Sequence, residues 1–184
     1  YGLHAEDYEQ LHRWLQDEIR RAWQNRITTM HMGRLWFRNL FANLALLPSS
    51  RPITKLTVHQ PTVVVGAGPS LDPILPELQA VRRQLFLLAV DTAVPVLAAH
   101  GITPDAVVAV EPQHANLSDF LGIDHRSTLL LTDTFSFPPI ARLFPAQNRM
   151  FFSSHPVDCR LIRRLTAMDL LPAPIPPLGS VGVA

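Results

Sequence analysis

Cysteine is nearly missing. Cys159 stands alone in 184 residues, which excludes a disulfide framework and a cysteine-rich zinc site. Lysine is nearly missing too: Lys55 is the sole example, and no Gly-Lys-Ser or Gly-Lys-Thr closes a phosphate loop. Phosphate transfer of the P-loop type is therefore not expected. Charged residues make up only 17%, and sixteen basic side chains against fifteen acidic ones leave a net charge of +1. Without a block of like charge, nothing in the composition draws the chain to nucleic acid. No apolar run reaches the roughly 18 residues of a membrane span. The opening residues, from Tyr1 to Asp7, lack the basic-then-apolar form of a signal peptide. A soluble, cytoplasmic domain is the expectation. With 47% apolar residues the chain has enough material for a core, unlike a disordered segment. It opens without methionine and ends in an apolar run, which suggests a piece of something longer.

Proline divides the chain. All 17 prolines lie at or after Pro48, so a helical segment 1–50 is expected, followed by a domain over 51–184. In the first part Tyr8, Leu11, Leu15, Ile19, Ala22 and Trp23 recur at helical spacing on one face. A second set, Phe37, Leu40, Phe41, Leu44 and Leu47, comes after an expected break around Thr28 and Thr29. All three tryptophans, Trp14, Trp23 and Trp36, fall here. A helical pair this apolar should dock on a neighbour, as a packing appendage or as a partner-binding surface.

From Thr62 the pattern changes to short apolar runs: 62–65, 85–90, 106–110, 128–131 and 150–152. Their continuous hydrophobicity suits strands buried on both faces. Between them, Asp72 and Pro73 can open one helix and Ala93–His100 can form a second, closed by Gly101. A third is expected from Val157 to Met168, with Cys159 in its core-facing part. Strand and helix in alternation predict an α/β fold, a Rossmann-like doubly wound parallel sheet. After the proline-rich 172–177, Gly179, Ser180 and Val181 read as a glycine turn opening a further helix.

In a parallel sheet all strands end at one edge, and ligands bind beyond those ends. The residues after the runs are therefore candidate site residues: Gly66-Ala67-Gly68-Pro69-Ser70, then Asp91 and Thr92, then Glu111, Pro112, Gln113 and His114. Thr132, Asp133 and Thr134 come next, then Ser153, Ser154 and His155. Gly66 and Gly68 allow close backbone approach to a phosphate, and a helix start supplies free N–H groups. The turn half-matches a dinucleotide fingerprint, but Leu71 stands where the third glycine belongs. Asp91, 23 residues after Gly68, can accept from a ribose hydroxyl or cap the next helix through Thr92 and Ala93. His114 and His155 are candidate bases, while His59, Asp124 and His125 have no metal-ligand spacing. No metal site is expected. Without a Gly-x-Ser-x-Gly elbow, a serine hydrolase of that kind is not expected either.

Three segments carry a resemblance in order: 63–72 (VVVGAGPSLD), 89–93 (AVDTA) and 101–111 (GITPDAVVAVE). Together they resemble the MptE-like domain of the motility accessory factors, bacterial flagellin glycosyltransferases that use activated nonulosonic (sialic-acid-like) sugars. The helical opening, with Thr29, Gly33, Trp36, Asn39 and Asn43, is similar to the family segment ahead of that domain, and Gly179-Ser180-Val181 resembles the next family segment. The domain also occurs in an archaeal 6-hydroxymethylpterin diphosphokinase, and the glycine turn resembles that of bacterial sialyltransferases. The resemblance implies that Gly66, Gly68, Pro69, Ser70, Asp91, Thr92, Gly179 and Ser180 hold the phosphate and nucleotide of a CMP-sugar donor. Asp91 and Glu111 would be catalytic, and flagellin would be the acceptor. The family's third motif usually closes with aspartate, where this chain has the longer Glu111. No tightly bound cofactor is implied. A pterin pyrophosphoryl transferase would instead need ATP and Mg²⁺ held by Asp91, Asp105 or Glu111. A non-catalytic nucleotide-binding or flagellar export module is the third expectation.

Overall fold

Five apolar runs become five parallel strands. A computed structural model describes residues 5–53, 56–154, 156, 159–172 and 174–175. It contains a six-stranded sheet of β1 (Arg51–Pro52), β2 (Thr62–Val65), β3 (Phe86–Val90), β4 (Ala106–Ala109), β5 (Leu129–Asp133) and β6 (Arg149–Phe152). The order across the sheet is β1-β6-β5-β4-β3-β2, and every pairing is parallel. The Rossmann-like α/β class expected from the sequence is the fold. Its winding is more one-sided than the doubly wound form, because β2 to β6 step across the sheet in a single direction.

Right-handed crossovers that all step the same way put their helices on the same face. The cores obey that rule. Leu87, Ala89, Val107, Ala109, Leu130 and Phe151 share one cluster with Leu75 and Leu78 of α2 (Leu75–Val81). Val94 and Leu97 of α3 (Val94–Ala99), and Ile140 and Ala141 of α4 (Pro138–Leu143), belong to the same cluster. Each buried valine, leucine, isoleucine or phenylalanine among them contributes roughly 1.5–3 kcal/mol. The alternate strand residues, among them Phe86, Leu88, Val108, Leu131 and Met150, form a cluster on the second face with Ile53, Leu56 and Ile175. No α-helix contributes to that cluster among the described residues. Its cover thins toward β2, where Val64 is 54% exposed.

The local differences have local causes. Asp72 does not cap α2: a 3-10 turn over Asp72–Ile74 comes first, and α2 opens at Leu75 with Pro76 at its start. Asp91–Ala93 likewise form a 3-10 turn before α3. Gly101 does close α3, at φ 67°, a conformation glycine adopts without strain. Of the expected third helix, α5 covers Arg160–Ala167, leaving Cys159 half-buried just ahead of it rather than inside it. The turn at Gly179 and Ser180 lies outside the described residues.

The chain forms two compact units, Tyr1–Leu35 and Trp36–Ala184. The expected break near Thr28 and Thr29 is absent, because α1 is continuous over Ala5–Leu44. Thr29 Oγ1 donates to Asn25 O at 2.9 Å within the helix, so this β-branched residue joins the turn rather than ending it. The last turns of α1 belong to the second unit. There Leu40, with Trp36, Phe37 and Leu44, packs against Phe135, Ile162 and Leu171.

Candidate functional site

The carboxyl edge of the sheet gathers most of the polar residues singled out from the sequence. Val65 pairs with Ala89, so the turn 66–70 leaves the sheet level with Val90 and Asp91. Ala109 pairs with Thr132 and Asp133 with Phe152, which brings Glu111, Asp133 and Ser154 to the same edge. Asp105, by contrast, precedes β4 at the opposite edge. Its Oδ2 accepts from Leu87 N at 2.7 Å and pairs with Arg82 at 2.9 Å. It cannot join a Mg²⁺ site with Asp91.

The glycine turn is open. Gly66, Gly68, Pro69 and Ser70 are all exposed, and Leu71 N donates to Gly68 O at 2.9 Å to close the turn. Neither glycine occupies the left-handed region. A Cβ at Gly66 would meet nothing within 4 Å, and one at Gly68 would meet only Ser70 Oγ at 3.7 Å. Neither backbone conformation nor protein packing demands glycine there. What remains is space beside the backbone, at an edge where an anion can approach. The N–H groups of Gly68 and Ser70 and the Ser70 hydroxyl have no hydrogen-bond partner among the described residues. The α2 helix adds little to this, since it has seven residues and starts beyond Asp72.

Asp91 is closed where the turn is open. It is 4% exposed. Its Oδ1 accepts from Thr92 N at 2.8 Å and its Oδ2 from Asn116 Nδ2 at 3.0 Å. Burial pushes its carboxyl above the usual range, against the pull of these two hydrogen bonds. Asn116 sits in the 3-10 turn His114–Phe120 and also reaches Asp119 Oδ2 at 3.3 Å. Its own Oδ1 is buried without a partner. Asp91 is thus a hub that ties the end of β3 to the loop after β4, with both carboxylate oxygens hydrogen-bonded. Glu111 is the reverse. It is exposed, and its carboxylate makes no hydrogen bond or ion pair among the described residues. Only its backbone is held, by Phe137 N at 3.0 Å.

Three further residues organise this edge. Asp133 is buried and accepts from the Ser154 hydroxyl, from Phe135 N at 3.1 Å and from Thr134 Oγ1 at 3.3 Å. Desolvation raises its carboxyl despite these donors. Asn39 Nδ2 donates to the carbonyls of Pro112 at 2.9 Å and Phe135 at 3.2 Å. Asn43 Nδ2, one turn later, donates to those of Thr134 at 3.0 Å and Ser136 at 2.9 Å. The two asparagines at i and i+4 therefore clamp the loops after β4 and β5. Their spacing on α1 was visible in the sequence; their partners, 73 to 96 residues away, were not. His114 is exposed at this edge, and His155 lies outside the described residues.

The described residues include no group of three His, Cys, Asp or Glu side chains able to hold a metal ion. His125, buried near the opposite edge, stacks on Phe144 at 4.4 Å and hydrogen-bonds Phe120 O at 2.8 Å. It belongs to the packing around a cavity of about 420 Å³, also lined by Phe120, Arg126 and Arg142.

The family described as 6-hydroxymethylpterin diphosphokinase MptE-like matches residues 38–170. The chain belongs to the MptE-like family. The match starts in the last turns of α1, at the asparagine clamp, and runs past α5. An uncharacterized protein of Treponema pallidum (strain Nichols) is 32% identical over 188 residues, covering 100% of this chain and 32% of its own length. A second from the same organism is 31% identical over 86 residues, covering 46% and 41%. The chain thus spans about a third of the length of the first relative. Among solved structures, the Maf glycosyltransferase from Magnetospirillum magneticum AMB-1 is similar with a TM-score of 0.49 and 20% identity, over 63% of this chain and 20% of that one. No helix among the described residues is long and apolar enough to cross a membrane.

Proposed function

We propose that this MptE-like chain binds a CMP-activated nonulosonic sugar at the carboxyl edge of its sheet and serves its transfer to a serine or threonine of flagellin. The observation that carries the reading is the glycine turn: two glycines that neither conformation nor packing requires, with open space beside them. The N–H groups of Gly68 and Ser70 and the Ser70 hydroxyl donate to the phosphate as the glycosidic bond breaks and CMP departs. The new bond forms from the acceptor hydroxyl oxygen, and its proton passes to a base. Glu111, exposed and unpaired at this edge, is the carboxylate free to take it. Asp91 supports the site by holding the loop that carries Asn116. The motif resemblance supports the donor and the acceptor.

The family description favours a second reading, pyrophosphoryl transfer from ATP to a pterin. That reaction needs a Mg²⁺ ion; of the three expected ligands Asp105 is at the other edge and Asp91 already accepts two hydrogen bonds, which leaves Glu111 as the free carboxylate. One assay separates the readings. Incubation with the CMP-sugar should raise the intact mass of flagellin by one sugar and release CMP, and Glu111→Gln should slow this at least tenfold. Formation of AMP from ATP and the pterin, dependent on Mg²⁺, with flagellin unmodified, would overturn the proposal in favour of the second reading.

A further inference from the structure

The first unit carries an apolar stripe that its own helix cannot bury. Tyr8, Leu11, Leu15, Ile19, Trp23, Ile27 and Met30 line one face of α1, each between 45% and 76% exposed. In water a helix of this kind draws most of its stability from covering such a face. The spacing says what covers it. The steps between these residues are 3, 4, 4, 4, 4 and 3, so the series reads the same in both directions about Ile19. Tyr8, Ile19 and Met30 repeat every eleven residues, close enough to the helical period for the stripe to stay on one side.

A second copy laid antiparallel, with a two-fold axis at Ile19, meets this stripe apolar on apolar. Tyr8 then faces Met30 of the other copy, Leu11 faces Ile27, Leu15 faces Trp23, and Ile19 faces itself. Charge selects the same orientation. Residues 5–19 hold five acids, Glu6, Asp7, Glu9, Asp17 and Glu18, against one arginine, Arg13. Residues 20–35 hold four arginines, Arg20, Arg21, Arg26 and Arg34, and no acid. Antiparallel copies place the acidic half beside the basic half. Parallel copies would set like charge beside like along the whole length. We propose that residues 5–35 form an antiparallel homodimer centred on Ile19. The interface is isologous and closes after two chains.

The test uses the whole chain with Cys159→Ser to remove its single thiol. Light scattering should give twice the 20.6 kDa mass, falling to one chain in Ile19→Glu with the second unit still folded, because Ile19 joins none of the core clusters among the described residues. A one-chain mass without the Ile19 substitution, at the same concentration, would overturn the dimer. Orientation is read by cross-linking. Leu11→Cys and Ile27→Cys chains, mixed and oxidised, should join to each other. Two Leu11→Cys chains should not, since antiparallel packing separates those positions by about 24 Å along the axis. A disulfide between two Leu11→Cys chains, or none in the mixture, contradicts the arrangement.

Discussion

Asn116 Nδ2 lies 3.0 Å from Asp91 Oδ2, and this one bond joins the end of β3 to the loop after β4 across a sequence separation of 25 residues. The amide is locked in this orientation, because turning it over would put its oxygen against the carboxylates of Asp91 and Asp119. The cost is a buried acceptor, Asn116 Oδ1, with no donor. Asn116→Ala removes the donor and leaves the Asp91 carboxylate buried beside an empty volume. The expected loss is about 1–3 kcal/mol of stability in urea unfolding. Unchanged stability would mean that Asp91 finds another donor on its own.

Asp91 and Asp133 give the stability a distinctive pH dependence. Burial holds both carboxyls above 3.8 in the folded chain. Each binds its proton more tightly folded than unfolded. The stability gained from this is complete below 3.8 and is lost as pH rises through the raised folded values. Melting temperatures of the parent chain and of Asp91→Asn should therefore show a smaller fall in the variant over that rise. An identical slope in both would place Asp91 at the ordinary carboxylate value.

The asparagine clamp should be costly to break. Asn39→Ala or Asn43→Ala each strips two backbone carbonyls of their donor, for an expected loss of about 2–4 kcal/mol. Denaturant unfolding beside an exposed control such as Gln24→Ala checks this. A loss no larger than the control's would show that water replaces the amides.

Ser70→Ala separates binding from folding. The hydroxyl is exposed and bonds to nothing among the described residues, so the melting temperature should stay put. If it donates to the donor's phosphate, affinity should fall by roughly 5–30-fold, that is about 1–2 kcal/mol. Equal affinity in both proteins would remove Ser70 from the site.

The strands were legible because continuous apolar runs of three to six residues carry their own signal; 62–65 and 86–90 fall within one residue of the expected limits. β1, two residues with a proline, has no such signal and exists through pairing with β6. α4 starts on two prolines and is too short for a periodic apolar pattern to show; the first helical turn has no use for their missing N–H. The candidate site divides in the same way. Its glycine turn shows in local sequence, whereas the burial of Asp91 and the reach of Asn39, Asn43 and Asn116 depend on which loops the sheet brings together. An acid at a strand end looks the same in sequence whether it faces a ligand or a neighbouring amide.

The most direct test of the nucleotide site is calorimetric titration of CMP into the parent chain and into Gly66→Ala, with CDP, UDP, ATP and NAD for comparison. The added methyl meets no protein atom within 4 Å, and at a compatible backbone position it should leave stability unchanged or raise it by about 0.4–1 kcal/mol. In a phosphate cradle it occupies the space of the ligand. CMP should bind in preference to NAD and ATP, and Gly66→Ala should lose CMP while melting no lower than its parent. NAD binding with CMP silent, or CMP binding equally to both proteins, would contradict this.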